Sequence, residues 1–159
     1  MYGRRGYRRS NYYSRKPRVP YQLNTKTFNG SAVNLSAQTS TVLLQNLSTT
    51  GKVTLARPTV VINAQAGTAI PVYWAIVYVP DGYSENNMSL TSGTTLYEPN
   101  QFVMASGCFV ADVDSEPFRL SSPLKRSLNV NDRVLILMRA AGTTAVNFAA
   151  TINYFTRNV

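Results

Sequence analysis

Histidine is absent from this sequence, cysteine occurs once, at Cys108, and only 7 of its 159 residues are acidic. Without an imidazole there is no Ser-His-Asp or Cys-His catalysis, because the base that would activate the nucleophile is missing. A single thiol excludes a disulfide framework within the chain, CxxC redox chemistry and any zinc site built on His or on several Cys. Charge is scarce as well, 14% of residues against the ~25% of an ordinary domain, so most of the folded surface must be neutral. The longest charge-free stretch, Pro58 to Pro80, is broken by Asn63, Gln65, Gly67 and Pro71, which does not suit a membrane-spanning helix. The opening Met1 to Arg5 has no apolar segment behind it and predicts no secretory signal. Glycine-rich phosphate loops and the G-x-S-x-G elbow are missing too. The run from Ser122 to Lys125 matches S-x-x-K, but that chemistry needs the lysine one helical turn after the serine. Pro123 in a strand-like segment speaks against it. No enzymatic activity, metal or cofactor is expected.

What is present is positive charge, 16 Lys and Arg giving a net charge of +9, and it is unevenly placed. Residues 1–19 hold Arg4, Arg5, Arg8, Arg9, Arg15, Lys16 and Arg18 with no acid and almost no aliphatic side chain, while 20–159 holds nine bases against seven acids. A block of that kind repels itself and cannot build a core, so it is expected to be disordered until something anionic gathers it. Tyr2, Tyr7, Tyr12 and Tyr13 are interleaved with the arginines. Guanidinium groups suit phosphates and phenol rings stack on unpaired bases, so the arm reads as a nucleic-acid contact, with Tyr7, Tyr12 and Tyr13 as the stacking residues. A membrane-surface segment would show an apolar face at helical spacing, and none occurs here. The same arm can serve as a nuclear import signal; a plain solubility tail is the other reading. The arm is assigned to 1–20 and the body to 21–159, with Pro17 and Pro20 stiffening the join.

The body reads as strands. Val146, Phe148, Ala150, Ile152 and Tyr154 recur at period two, with Asn147, Thr151, Asn153 and Arg157 on the opposite side. Arg133 to Arg139 is an apolar run between two arginines and predicts a strand buried on both faces. Ile70 to Val79 is β-branched and aromatic and ends on the turn signal Pro80-Asp81-Gly82, which predicts another central strand. Further strands are expected over 25–35, 40–47, 52–63, 101–113 and 117–128, although Asn29-Gly30 could form a hairpin turn that splits the first. The segment from Gly82 to Asn100 reads as a surface loop. About eight short strands without a helical period point to a sandwich, jelly roll or barrel.

Three smaller features complete the inventory. Asp112, Asp114 and Glu116 alternate along one segment and could converge on a hard cation, the plainer reading being an exposed acidic turn. N-x-S/T sequons begin at Asn29, Asn34, Asn46 and Asn87 and read as an Asn- and Ser-rich surface. Cys108, between Met104 and Phe109, reads as a small core residue.

The run Met1 to Ser10 resembles the Tyr- and Arg-rich amino terminus of the capsid proteins of small circular single-stranded DNA viruses, the circovirus and nanovirus type. The body is similar in order: Tyr73 to Val79, Pro117 to Lys125, Asn131 to Leu137 and Thr151 to Arg157 follow the same pattern of segments. The resemblance implies an eight-stranded antiparallel jelly roll and a T=1 icosahedral shell of sixty copies. It also implies an interior arm that packages single-stranded circular DNA, and entry into the host nucleus through the import machinery before assembly into the virion. Sixty such arms would neutralise on the order of 400 nucleotides, one phosphate charge each. A basic arm on a jelly roll serves a positive-strand RNA satellite virus equally well, since nothing here reads a 2′-hydroxyl. A single-strand-binding OB-type barrel is the alternative from another class, disfavoured because the body's bases look scattered along the sequence.

Overall fold

The computed structural model describes residues 20–32, 38–48, 51–84, 90, 102–142, 144 and 146–158, with Ser31, Ala32 and Asn158 described in their backbone only. Among the described residues nine strands run in chain order: β1 (Gln22–Ala32), β2 (Thr39–Gln45), β3 (Val53–Gln65), β4 (Ile70–Val79), β5 (Val103–Ala111), β6 (Phe118–Ser121), β7 (Lys125–Leu128), β8 (Arg133–Ala140) and β9 (Val146–Asn158). They form two antiparallel sheets. The first has the order β1-β9-β3-β6, with β7 also paired to β3, and the second has the order β2-β8-β4-β5.

The connectivity follows from nested pairing. The first strand pairs with the last, β2 with β8, β3 with β6 and β7, and β4 with β5. With β6 and β7 taken as two halves of one strand, this is a long eight-stranded hairpin wound over itself so that its arms alternate between two sheets. That is a jelly roll. The nine strands in two facing sheets are not the five-stranded barrel of the OB alternative.

Alternation along each strand supplies the core between the sheets. Val60 and Ile62 from β3, Ile76 from β4, Ile136 from β8 and Ile152 from β9 are fully buried there, each worth about 1.5–3 kcal/mol of transfer free energy. On β9 the expected period holds, with Val146, Phe148, Ala150 and Ile152 buried and Tyr154 packed partly against them. β8 is buried on both faces as its sequence predicts, and β4 is central, between β8 and β5. Its outward residues Ala75, Val77 and Val79 join Leu135 and Leu137 in a second apolar cluster, flanked by Val42, Leu90, Phe102 and Val103.

Several expectations need correction. Asn29-Gly30 is not a turn: β1 pairs with β9 without interruption from Gln22↔Thr156 to Ala32↔Val146. Gly30 lies opposite Phe148, and a Cβ there would come within 2.6 Å of the phenyl ring. The missing side chain therefore makes room for a core aromatic instead of bending the chain. The segment 117–128 is two strands, interrupted from Ser122 to Leu124 around Pro123, whose ring removes a backbone donor. Cys108 is exposed, because it faces outward beside Tyr73 while its neighbour Phe109 takes the core position. Asn46 is not a surface sequon, being 2% exposed. Its side-chain amide donates to the carbonyls of Gly51 and Leu128, 3.0 Å each, and its backbone exchanges hydrogen bonds with Asn131 and Asp132. Asn29 is exposed; Asn34 and Asn87 lie outside the described residues. Most of the 82–100 loop does too.

Candidate nucleic-acid interface

The arm residues Arg4, Arg5, Arg8, Arg9, Arg15, Lys16 and Arg18, with Tyr7, Tyr12 and Tyr13, lie outside the described residues. What the structure describes is the surface from which the arm departs. Pro20 is exposed, Tyr21 follows, and the chain enters β1 at Gln22, paired to Thr156 near the end of β9. The arm therefore leaves from an edge strand of the first sheet.

That sheet is charged with one sign. Its five strands contain Lys26, Arg57, Arg119, Lys125, Arg126 and Arg157 and not one Asp or Glu. Four of the body's bases that look scattered along the chain, Arg57, Arg119, Lys125 and Arg157, are collected on one face of the sheet, while Lys26 and Arg126 turn to the other, which corrects the sequence reading in part. Register explains how. Ala56 lies opposite Phe155 on one side and Lys125 on the other, and Thr54 lies opposite Arg157 and Ser127. Partners across a ladder share a face, so Phe155, Lys125 and Arg157 emerge together on the side away from the core. Arg119, opposite Val61, is on the same face farther along.

Arg57 reaches this face by a different route. The register of β3 against β9 shifts between Ala56 and Thr59, and Arg57 there has φ of 50°, in the left-handed region that side chains with a Cβ seldom adopt. The irregularity coincides with the β6–β7 break. The Arg57 amide donates to the Leu124 carbonyl at 3.3 Å and the Ser122 amide to the Pro58 carbonyl at 3.0 Å, so two interruptions satisfy each other. The Ser122 hydroxyl donates to the Met104 carbonyl at 2.9 Å, in a strand break and not on a helix.

Tyr21 closes the arrangement. Its ring lies 5.2 Å from the Arg157 guanidinium carbon and 5.6 Å from Lys125 Nζ, both cation–π distances. Tyr21, Ala56, Arg57, Lys125 and Phe155 line a pocket of about 290 Å³. Its walls are two aromatic rings, an alanine floor and two cations, a donor set suited to an anion joined to a flat apolar group.

The next residue, Arg126, shows the alternation at work. It points the other way from Lys125, and its guanidinium carbon sits 4.3 Å from the centre of the Tyr78 ring. The Tyr78 hydroxyl donates to Asp132 Oδ2 at 2.6 Å, and Asp132 also accepts from the amides of Asn129 at 2.7 Å and Asp81 at 3.0 Å. Burial, reinforced by the neighbouring carboxylate, pushes the Tyr78 hydroxyl up to about 12. Burial alone would raise Asp132, but the hydrogen bonds from Tyr78, Asp81 and Asn129 outweigh it and hold the carboxyl below its ordinary value. This cluster ties the ends of β4, β7 and β8 together.

The acidic turn behaves as a turn. Asp112 Oδ1 accepts from the Asp114 amide at 3.0 Å and the Ser115 hydroxyl at 2.9 Å, and among the described residues no three His, Cys, Asp or Glu side chains gather.

No protein-family model and no curated protein matches the chain. The solved structures similar to it include two of viruses. One is the infectious bursal disease virus Gx strain, with a TM-score of 0.43 and 8% identity over 88% of this chain and 32% of that one. The other is desmodium yellow mottle tymovirus, with a TM-score of 0.37 and 14% identity over 91% of this chain and 93% of that one. The chain spans about a third of the length of the first. The jelly roll itself rests on the nested strand pairing and not on these likenesses.

Proposed function

We propose that this chain is a viral capsid subunit, a structural protein without enzymatic activity, whose bodies tile into a shell while its arm gathers single-stranded DNA. The observation that carries the reading is the junction: seven bases without an acid are joined, through Tyr21, to the edge of a jelly-roll sheet that is itself basic. In this reading Arg4, Arg5, Arg8, Arg9, Arg15, Lys16 and Arg18 neutralise phosphates, and Tyr7, Tyr12 and Tyr13 stack on bases. The remaining surface, poor in charge, lets like-charged copies approach one another. The shell of sixty copies, the DNA genome and passage through the host nucleus follow from the resemblance of the arm and the order of segments.

Negative-stain microscopy of the expressed full chain tests the assembly, with closed isometric particles expected and a lone subunit under all conditions overturning it. Nuclease-protected material from those particles, once sequenced, separates DNA from RNA. Binding to an unstructured oligonucleotide tests the arm: seven phosphate contacts give a slope of log K on log salt near −5. Changing the seven arm bases to glutamine should abolish most of that slope, and an unchanged slope would move the binding surface elsewhere.

A further inference from the structure

We infer that the pocket formed by Tyr21, Ala56, Arg57, Lys125 and Phe155 is a second nucleic-acid site, one that takes a single nucleotide unit of an unpaired strand. The base lies against Tyr21 and Phe155, and its phosphate sits on Arg57 and Lys125. The inference rests on the packaging reading above but concerns the folded body, which that reading leaves without a role in binding.

Four observations converge on this. The pocket volume, about 290 Å³, lies at the small end of the ~300–1,000 Å³ of ligand sites and suits one planar base with its phosphate, not several stacked bases. Phe155 is 38% exposed between Ala56 and the still more exposed Leu23, and an exposed ring beside cations is the pairing that single strands use. Arg57, Arg119, Lys125 and Arg157 lie on this outer face, and the strands of the sheet carry no acid, so the field over the pocket attracts a polyanion. Finally, Arg57 is held at φ of 50°. A glycine or asparagine would suit that backbone better, so the arginine sits there at the expense of local strain, with its side chain exposed to solvent.

The site also lies where the arm begins, so a strand gathered by the arm passes over it at high effective concentration. It reads no sequence, since every base has a flat face.

The test uses the full chain and 5-iodouracil-substituted oligonucleotides, in deoxy and ribo forms, at several salt concentrations. The double substitution Arg57→Gly with Lys125→Gln removes two phosphate contacts and should reduce the magnitude of the salt slope by about 1.4. Because glycine relaxes the strained backbone, its melting temperature should not fall. Phe155→Ala and Tyr21→Ala should each lower affinity roughly ten-fold with the slope unchanged. Irradiation should crosslink the iodinated base to Tyr21 or Phe155, and preference for the deoxy or ribo form identifies the strand. Unchanged affinity and slope in all these variants overturns the pocket, even if the arm variant flattens the slope and leaves the packaging reading intact. A change in particle formation without nucleic acid, with binding unaffected, would make the pocket a contact between copies and also overturn it. If the arm variant binds normally while the pocket variants do not, the pocket stands and the packaging role of the arm falls.

Discussion

Tyr78 and Asp132 form a buried hydrogen bond whose members titrate at opposite ends of the pH scale. The folded pKa of Asp132 is depressed, so its contribution is present above the carboxylate's ordinary value of 3.8 and is lost as pH falls through the lower folded value. Tyr78 is raised from 10.0 to about 12, so its contribution is complete below pH 10 and is lost as pH rises from there toward 12. Stability from this pair therefore has a plateau between those limits. Replacing Tyr78→Phe should cost about 1–3 kcal/mol at neutral pH, because Asp132, 2% exposed, loses a donor it cannot replace with water. Thermal melts of the two proteins should converge toward pH 12, where the native chain loses the same bond; a constant difference between pH 8 and pH 12 would contradict this. The alternation that sends Arg126 to Tyr78 sends Lys125 to the opposite face, so adjacent cations serve the core's end and the surface pocket.

At the scale of the strands, two local irregularities matter more than the regular ladders. One is the paired interruption in β3 and between β6 and β7, which places Arg57 on the surface. The other is Gly30, whose missing side chain is filled by the Phe148 ring, itself edge-to-face with Phe28 at 6.1 Å. Gly30→Val should force that ring out of its position and cost about 1–3 kcal/mol by overpacking, measured as a shift of the urea midpoint. If Asn29-Gly30 were a turn, valine there would disturb the turn and leave Phe148 unaffected, so retention of the Phe28–Phe148 contact in the variant would count against the account. Much of this level was legible beforehand: the doubly apolar runs gave β4 and β8, and the period of two gave β9. The break inside 117–128 had a local signal in Pro123, as did the β3 bulge in Pro58, since neither residue has a backbone amide to donate to a ladder.

For the molecule as a whole, the nested pairing makes β9 the partner of both β1 and β3, so the first sheet has no continuous ladder until the carboxyl-terminal strand is in place. Such long-range pairing is slow to form and exposes strand edges meanwhile. A chain ending before Val146 should fail to fold, giving aggregated protein without the cooperative unfolding transition of the full chain; a cooperative melt of the shortened chain would refute this. The candidate interface depends on the same closure. Tyr21, Arg57, Lys125 and Phe155 come from four separate parts of the chain, and each alone is unremarkable on a strand or beside it.

Sequence alone determined what depends on composition and local period: an arm of one charge sign with nothing to bury, a body of strands, and the absence of imidazole-based chemistry. The tertiary structure decided which of the body's dispersed bases share a face, because that is a matter of register. A slip of one residue in β7 or β9 would turn Lys125 or Phe155 to the opposite side of the sheet. Register is fixed by the core packing of all the strands together, so no single segment of the chain encodes the pocket.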